Sequence, residues 1–171
     1  MNNMENEKAF LPEISRQDIE NAKDDAWKLI YVFLDKYFEM IENGNITGDF
    51  NEYQHTLLAY MYLDSQVCNG GFIQLINNGY GGYIFDTPFS GYLKSWGAEK
   101  TAQIVDKAKE IYIKYQEELE AEKEAEEFCG LYKKITDFEP LEEEYYKIND
   151  GETEKIKEYV ENNIHNFAKI L

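Results

Sequence analysis

The sequence predicts an all-α fold, a single compact domain of about seven or eight helices, from three observations. Apolar residues recur at three- and four-residue steps over long stretches, which is the period of one helix face. No stretch alternates between apolar and polar residues for long enough to indicate a strand, and no internal repeat is present. A chain of 171 residues with 43% hydrophobic residues can bury roughly 70% of its unfolded surface without disulfides or metal. Residues 1–14 are predicted to be an N-terminal tail, and residues 15–171 the domain.

The first helix is predicted to begin at Ser15, which forms a plausible capping pair with Asp18. Apolar residues at helical spacing continue from there to Ile41. Asn43 and Gly44 then provide a stop, because both tolerate the left-handed conformation that ends helices.

The second helix, over residues 53–67, is apolar around almost its whole circumference, which indicates a buried position. Its end is set by Asn69 and by the two glycines Gly70 and Gly71. A short helix over residues 72–77 follows and leads into a glycine-rich loop.

Four more helices are expected in the rest of the chain. Thr87 and Pro88 are typical of a helix start, and Gly97 of the end of that helix. A long helix begins at Ala98 and is expected to run to about Glu127. The last two are expected over residues 140–146 and from about residue 152 to residue 170.

Charge is the strongest global feature. The chain has 34 acidic and 17 basic residues, a formal net charge of −17. Such a field repels nucleic acid and anionic membranes and attracts basic proteins. Acidity also serves solubility alone, which is the plainer interpretation. No secretory signal and no membrane-spanning run is visible in the sequence, so a cytoplasmic location is expected.

No motif in the sequence indicates catalysis or a cofactor. Cys68 and Cys129 form no metal or redox pair. Glu52 and His55 match one half of a di-iron motif, but that chemistry needs two copies and further carboxylates. The glycine-rich stretch 69–82 follows a helix, whereas a phosphate-binding loop follows a strand. We therefore expect no metal, no cofactor and no enzymatic activity.

The most unusual local feature is an acidic run in the predicted long helix. Glu118, Glu122 and Glu126 would share one face, where like charges at four-residue steps destabilise a helix by roughly 0.2–0.5 kcal/mol per pair. A solvated helix end is one interpretation, and a surface for a basic partner is the other. A following helix that folds back would extend this surface. The predicted partner-binding residues are Glu117, Glu118, Glu120, Glu122, Glu124, Glu126, Glu127, Glu142, Glu143 and Glu144.

The pattern around the two glycines resembles a bacterial domain family of formerly unknown function that is named after a dimeric DNA-mimic protein. The resemblance covers roughly residues 15–170, and its most specific block is residues 69–74. It implies a helical fold without cofactor or catalytic residues, and a homodimer is one assembly that it suggests. The signature residues, interpreted as structural, are Asn69, Gly70, Gly71, Phe72, Gln74, Asn77 and Gly97.

The resemblance and the charge together favour an acidic interaction protein that occupies the DNA-binding surface of a basic protein, such as a transcription factor. Two alternatives stay open. One is an immunity protein against a basic nuclease toxin, and the other is a structural helical domain with no charge-based partner. None of the three binds nucleic acid or membrane directly.

Overall fold

The structure, a computed structural model, describes residues 10–44 and 50–171 and is all-α. Within those residues the chain forms eight helices and one sheet of two short strands. The elements, in chain order, are β1 (Glu13–Ile14), α1 (Arg16–Ala22), α2 (Ala26–Glu42), α3 (Glu52–Asn77), α4 (Gly81–Phe85), α5 (Phe89–Ser95), α6 (Glu99–Glu120), α7 (Ala125–Lys134), α8 (Glu139–Asn162), a 3-10 turn (Ile164–Asn166) and β2 (Lys169–Ile170). The all-α prediction is confirmed.

The chain divides into two compact units, and the first lies within residues 1–57 and 160–171. Its core is the apolar face of α2, where Leu29, Phe33 and Tyr37 are fully buried. The Tyr37 hydroxyl donates a 2.9 Å hydrogen bond to the carbonyl of Phe167. The strands β1 and β2 are parallel, with Glu13 opposite Lys169. Two residues per strand are too few to leave an alternating pattern, so the sequence could not indicate this sheet.

The second unit comprises residues 58–159. Its core is aromatic. Phe72 is fully buried and stacks on Phe138, with ring centroids 5.4 Å apart. Phe85 stacks on Tyr112 in the same way at 4.9 Å. Large rings bury much apolar area each and so dominate the stability of a core of this size.

Several helix boundaries differ from the predictions. The first predicted helix is two, because Asp25 accepts a hydrogen bond from the Lys28 backbone N–H at 2.9 Å and so starts α2 anew. Thr87 is not a helix cap, since its hydroxyl donates back to the Tyr83 carbonyl at 2.8 Å at the end of α4. The helix α4, with two glycines among its five residues, was not predicted.

The predicted helices over residues 140–146 and 152–170 were also wrong in their bounds. They form one helix, α8, which ends at Asn162, so Phe167 and Ile170 lie beyond it. The glycine that suggested a break, Gly151, meets no atom within 4 Å of an added Cβ and lies inside the helix. One glycine weakens a helix by about 1 kcal/mol, which a long packed helix tolerates.

Candidate functional site

The acidic run does not lie on one helix. α6 ends at Glu120, Ala121 is extended, and α7 begins at Ala125. The prediction of a helix to about Glu127 is therefore wrong, and Glu118, Glu122 and Glu126 do not form a helical stripe. The physical reason is the charge itself, because negative side chains destabilise a helix C-terminus and stabilise an N-terminus.

Side chains of the acidic run stabilise the break between α6 and α7. The ammonium group of Lys123 donates to the carbonyl of Leu119 at 3.1 Å, which places a positive charge at the end of α6. Glu124 then caps α7. Its side chain accepts from the backbone of Glu127, whose own carboxylate accepts from the Glu124 N–H at 3.1 Å. This reciprocal capping box places both carboxylates where the helix dipole favours them.

The ten predicted partner-binding residues differ in their availability. Two of those in α6 have partners, since Glu118 pairs with Lys134 and Glu120 accepts from the Tyr112 hydroxyl. Four of the ten, Glu120, Glu122, Glu124 and Glu127, line a surface depression of about 600 Å³ together with Asn77. Five carboxylates are exposed and have neither an ion pair nor a side-chain hydrogen bond among the described residues. They are Glu117, Glu122, Glu126, Glu143 and Glu144.

Glu142 differs from its two neighbours because it is half-buried. Its Oε1 accepts a 2.8 Å hydrogen bond from the backbone N–H of Phe72. Burial raises the pKa of the Glu142 carboxyl, opposed by that hydrogen bond and reinforced by the nearby charge of Glu139. The structure thus gives this residue an internal contact that the sequence did not indicate.

The signature block forms a break within α3. Gly70 (φ −151°, ψ 18°) and Gly71 (φ 74°, ψ −172°) are not helical, and the chain resumes its helix at Phe72. Only glycine adopts the Gly71 conformation readily. An added Cβ there would also lie 2.2 Å from the Glu142 carboxylate. The interpretation of this block as a helix-to-helix turn agrees with the geometry.

The broken helix exposes backbone groups that other helices satisfy. Glu142 of α8 accepts from the Phe72 N–H, as described above. The hydroxyl of Tyr132, from α7, donates to the carbonyl of Gly70 at 2.8 Å. The hydroxyl of Tyr146, from α8, donates to the carbonyl of Val67 at 3.0 Å. Three side chains therefore provide the hydrogen bonds that an unbroken helix would make internally.

The amides of the block form a short network on the same segment. The Asn69 amide donates to Gln74 Oε1 at 3.1 Å, and the Gln74 amide donates to Gln66 Oε1 at 3.1 Å. The Gln74 side chain also lies over Gly70, where a Cβ would meet it at 2.0 Å. Gly97, the last member of the signature, has φ 91° and ends α5, as predicted.

Comparison with known proteins places the chain in a family. A family model described as DMP19-like protein matches residues 48–163. DNA mimic protein DMP19 of Neisseria meningitidis serogroup B is 34% identical over an alignment of 166 residues, which covers 94% of this chain and 95% of that relative. The chain belongs to the DMP19-like protein family. The resemblance derived from the signature residues is confirmed.

One buried carboxylate of this DMP19-like chain was missed in the sequence. Glu152 is only 2% exposed. Its Oε2 accepts from the Thr101 N–H at 2.9 Å, in the first turn of α6, and its Oε1 pairs with Lys155 at 2.7 Å. A signal was present, because Glu152 lies seven residues after buried Tyr145 and four before buried Ile156, where the helix period expects an apolar residue.

The two cysteines of this family member are the next candidates for a reactive group. Cys68 and Cys129 are exposed and not disulfide-bonded. Partial burial and the charge of Asp64 raise the pKa of the Cys68 thiol to about 11, which lowers its reactivity at neutral pH. In residues 10–44 and 50–171, no three His, Cys, Asp or Glu residues are grouped to hold a metal ion. No helix over the same residues is both long and apolar enough to span a membrane.

Proposed function

We propose that this protein is a non-enzymatic DNA mimic that binds the DNA-binding surface of a basic protein. The observation that carries the proposal is the relationship to DNA mimic protein DMP19, which extends along 94% of this chain. We infer from this relationship that the protein acts by binding rather than by catalysis, and we expect it to do so in the cytoplasm.

The charge of the chain supports the proposal. A net charge of −17 attracts basic surfaces at long range and increases the rate of encounter with them. The unpaired carboxylates Glu117, Glu122, Glu126, Glu143 and Glu144 can meet lysine and arginine side chains that would otherwise contact phosphates. No ion pair neutralises these five charges within residues 10–44 and 50–171, so we expect them to be available to a partner.

The test is displacement of proteins from DNA. Basic proteins of the host lysate are first bound to immobilised duplex DNA and then eluted with this protein. A true target should elute at a protein concentration that leaves most DNA-binding proteins in place. With the purified target and labelled DNA, the two ligands should exclude each other, and the complex with this protein should weaken as salt increases.

Charge variants provide the matched control for this displacement. Glu122→Gln with Glu126→Gln removes two unpaired charges near α7, whereas Asp35→Asn with Glu42→Gln removes two exposed charges from α2. We expect the first pair to slow association with the target by several-fold and the second pair to have a smaller effect. A ternary complex of target, DNA and this protein, with an affinity indifferent to salt, would contradict DNA mimicry.

A further inference from the structure

Two tyrosines occupy the outer side of the α3 break. Tyr132 and Tyr146 are 37% and 48% exposed, so each ring has a large area open to solvent. They come from different helices, α7 and α8, but their hydroxyls bind carbonyls three residues apart in the same helix, those of Gly70 and Val67.

These rings are held in place rather than free to rotate. Each hydroxyl is fixed by its hydrogen bond, at 2.8 Å for Tyr132 and 3.0 Å for Tyr146. Phe128 also packs against Tyr132 in a T-shaped arrangement, with ring centroids 5.4 Å apart. Rigid tyrosines lose little side-chain entropy when a partner covers them, which is why they are frequent anchors of binding surfaces.

The charge next to the rings determines which partner they suit. Burial, and next the charge of Glu142, raises the pKa of the Tyr132 and Tyr146 hydroxyls, so both stay neutral at physiological pH. Among the described residues, the second oxygen of Glu142, Oε2, has no hydrogen-bond partner. A neutral ring face with a carboxylate beside it attracts cations and disfavours anions.

We propose that Tyr132 and Tyr146 form a rigid aromatic surface on which arginine side chains of the basic partner stack, with Glu142 next to them as the counter-charge. Arginine suits this surface better than lysine because its planar, weakly hydrated guanidinium can lie flat on a ring. The inference rests on the proposed function and adds to it. DNA phosphates offer a basic partner only charge, whereas the two tyrosine rings also offer a stacking surface. The carboxylates attract the partner, and the tyrosines select arginine within it.

The experiment compares two peptides of equal length and charge, one of arginine only and one of lysine only, by titration calorimetry on the full chain. We expect the arginine peptide to bind at least about fivefold more tightly, which corresponds to the strength of one or two exposed cation–π contacts. In the double variant Tyr132→Leu with Tyr146→Leu, the two peptides should bind with about equal affinity. Tyr132→Phe with Tyr146→Phe loses the same two hydroxyl hydrogen bonds but keeps the rings, so it should weaken the binding of the arginine peptide by less than the leucine pair does and keep the preference for arginine.

A further variant controls for exposed aromatic area in general. Tyr31 is 40% exposed and lies on α2, in the other unit, and Tyr31→Leu should leave the arginine preference unchanged. If both peptides bind equally and with salt sensitivity, or if the leucine pair keeps the preference, the tyrosine proposal is overturned while the acidic surface stands. Binding of neither peptide would overturn the tyrosine proposal and count against the proposed function as well.

Discussion

Two helix breaks in the second unit show two different ways of ending a helix. The break within α3 uses glycines, and three side chains from α7 and α8 satisfy its backbone groups. The break between α6 and α7 uses charge, and the acidic run itself holds it through Lys123 and the capping box of Glu124. The first is completed by distant parts of the sequence, and the second by its immediate neighbours.

The comparison separates carboxylates that stabilise the start of a helix from those that do not. Glu142 and Glu152, both in α8, accept hydrogen bonds from the first turns of other helical segments. Both contacts place a carboxylate at the positive end of a helix dipole, where a negative charge is stabilising. By contrast, Glu122 and Glu126 lie next to the second break and have no such partner among the described residues. Some of the carboxylates that contribute to the net charge of −17 therefore stabilise the fold and others do not, and substitutions can distinguish the two groups.

The largest effect is expected at the glycine break. Gly71→Ala should lower the free energy of unfolding by about 2–5 kcal/mol, because the φ of 74° strains any other residue and the new Cβ displaces Glu142. Gly130→Ala is the matched control. It lies inside α7 with no atom within 4 Å of an added Cβ, so alanine should stabilise by about 0.5–1 kcal/mol. Urea denaturation measures both, and a Gly71→Ala protein as stable as the wild type would contradict a strained break.

A smaller effect is expected at Glu142, and it depends on pH. Glu142→Ala leaves the Phe72 N–H without its acceptor and should lose about 1–2 kcal/mol. Glu142→Gln keeps an acceptor and avoids burying a charge, so at neutral pH it should be at least as stable as the wild type.

The sign of the pH effect follows from the raised pKa of this carboxyl. The pKa of Glu142 in the folded protein lies above the ordinary value of 4.5. The wild type is therefore more stable in acid, and this extra stability is lost as the pH rises through the folded pKa. As the pH increases from below 4.5, the unfolding free energy of the wild type minus that of Glu142→Gln should decrease. A difference that moves the other way would show that the hydrogen bond outweighs burial.

The sequence predicted the glycine break because its cause is local. Two adjacent glycines after a buried helix can hardly continue it, and the family resemblance pointed to the same residues. It could not predict what completes the break, because Tyr132, Glu142 and Tyr146 are about 60–80 residues away in the chain. Spacing along one helix gives no information about partners on another.

The acidic break was missed for a different reason. A helical apolar period continues through residues 98–119, and glutamate favours helices, so nothing in the propensities indicated an end at Glu120. Helix caps are usually Ser, Thr, Asp or Asn, which made Glu124 an unexpected start. The helix count of seven or eight was met in spite of this, because errors of opposite sign nearly cancel. Two predicted helices, over residues 15–41 and 98–127, each proved to be two, and α4 was not predicted. Two predicted pairs, 53–67 with 72–77 and 140–146 with 152–170, each proved to be one helix.

The smallest effect distinguishes the carboxylates at the acidic break from one another. Glu124→Ala removes the side chain that accepts from the first turn of α7 and should lower the free energy of unfolding by about 0.5–1 kcal/mol. Glu122→Ala, two residues away, removes an exposed carboxylate that has no ion pair or side-chain hydrogen bond among the described residues, and it should change the free energy of unfolding by less than about 0.5 kcal/mol. Glu124→Ser supplies a customary cap and should be no less stable than the wild type. Equal losses for Glu122→Ala and Glu124→Ala in urea denaturation would mean that the whole acidic segment is structural, leaving fewer free charges for a partner.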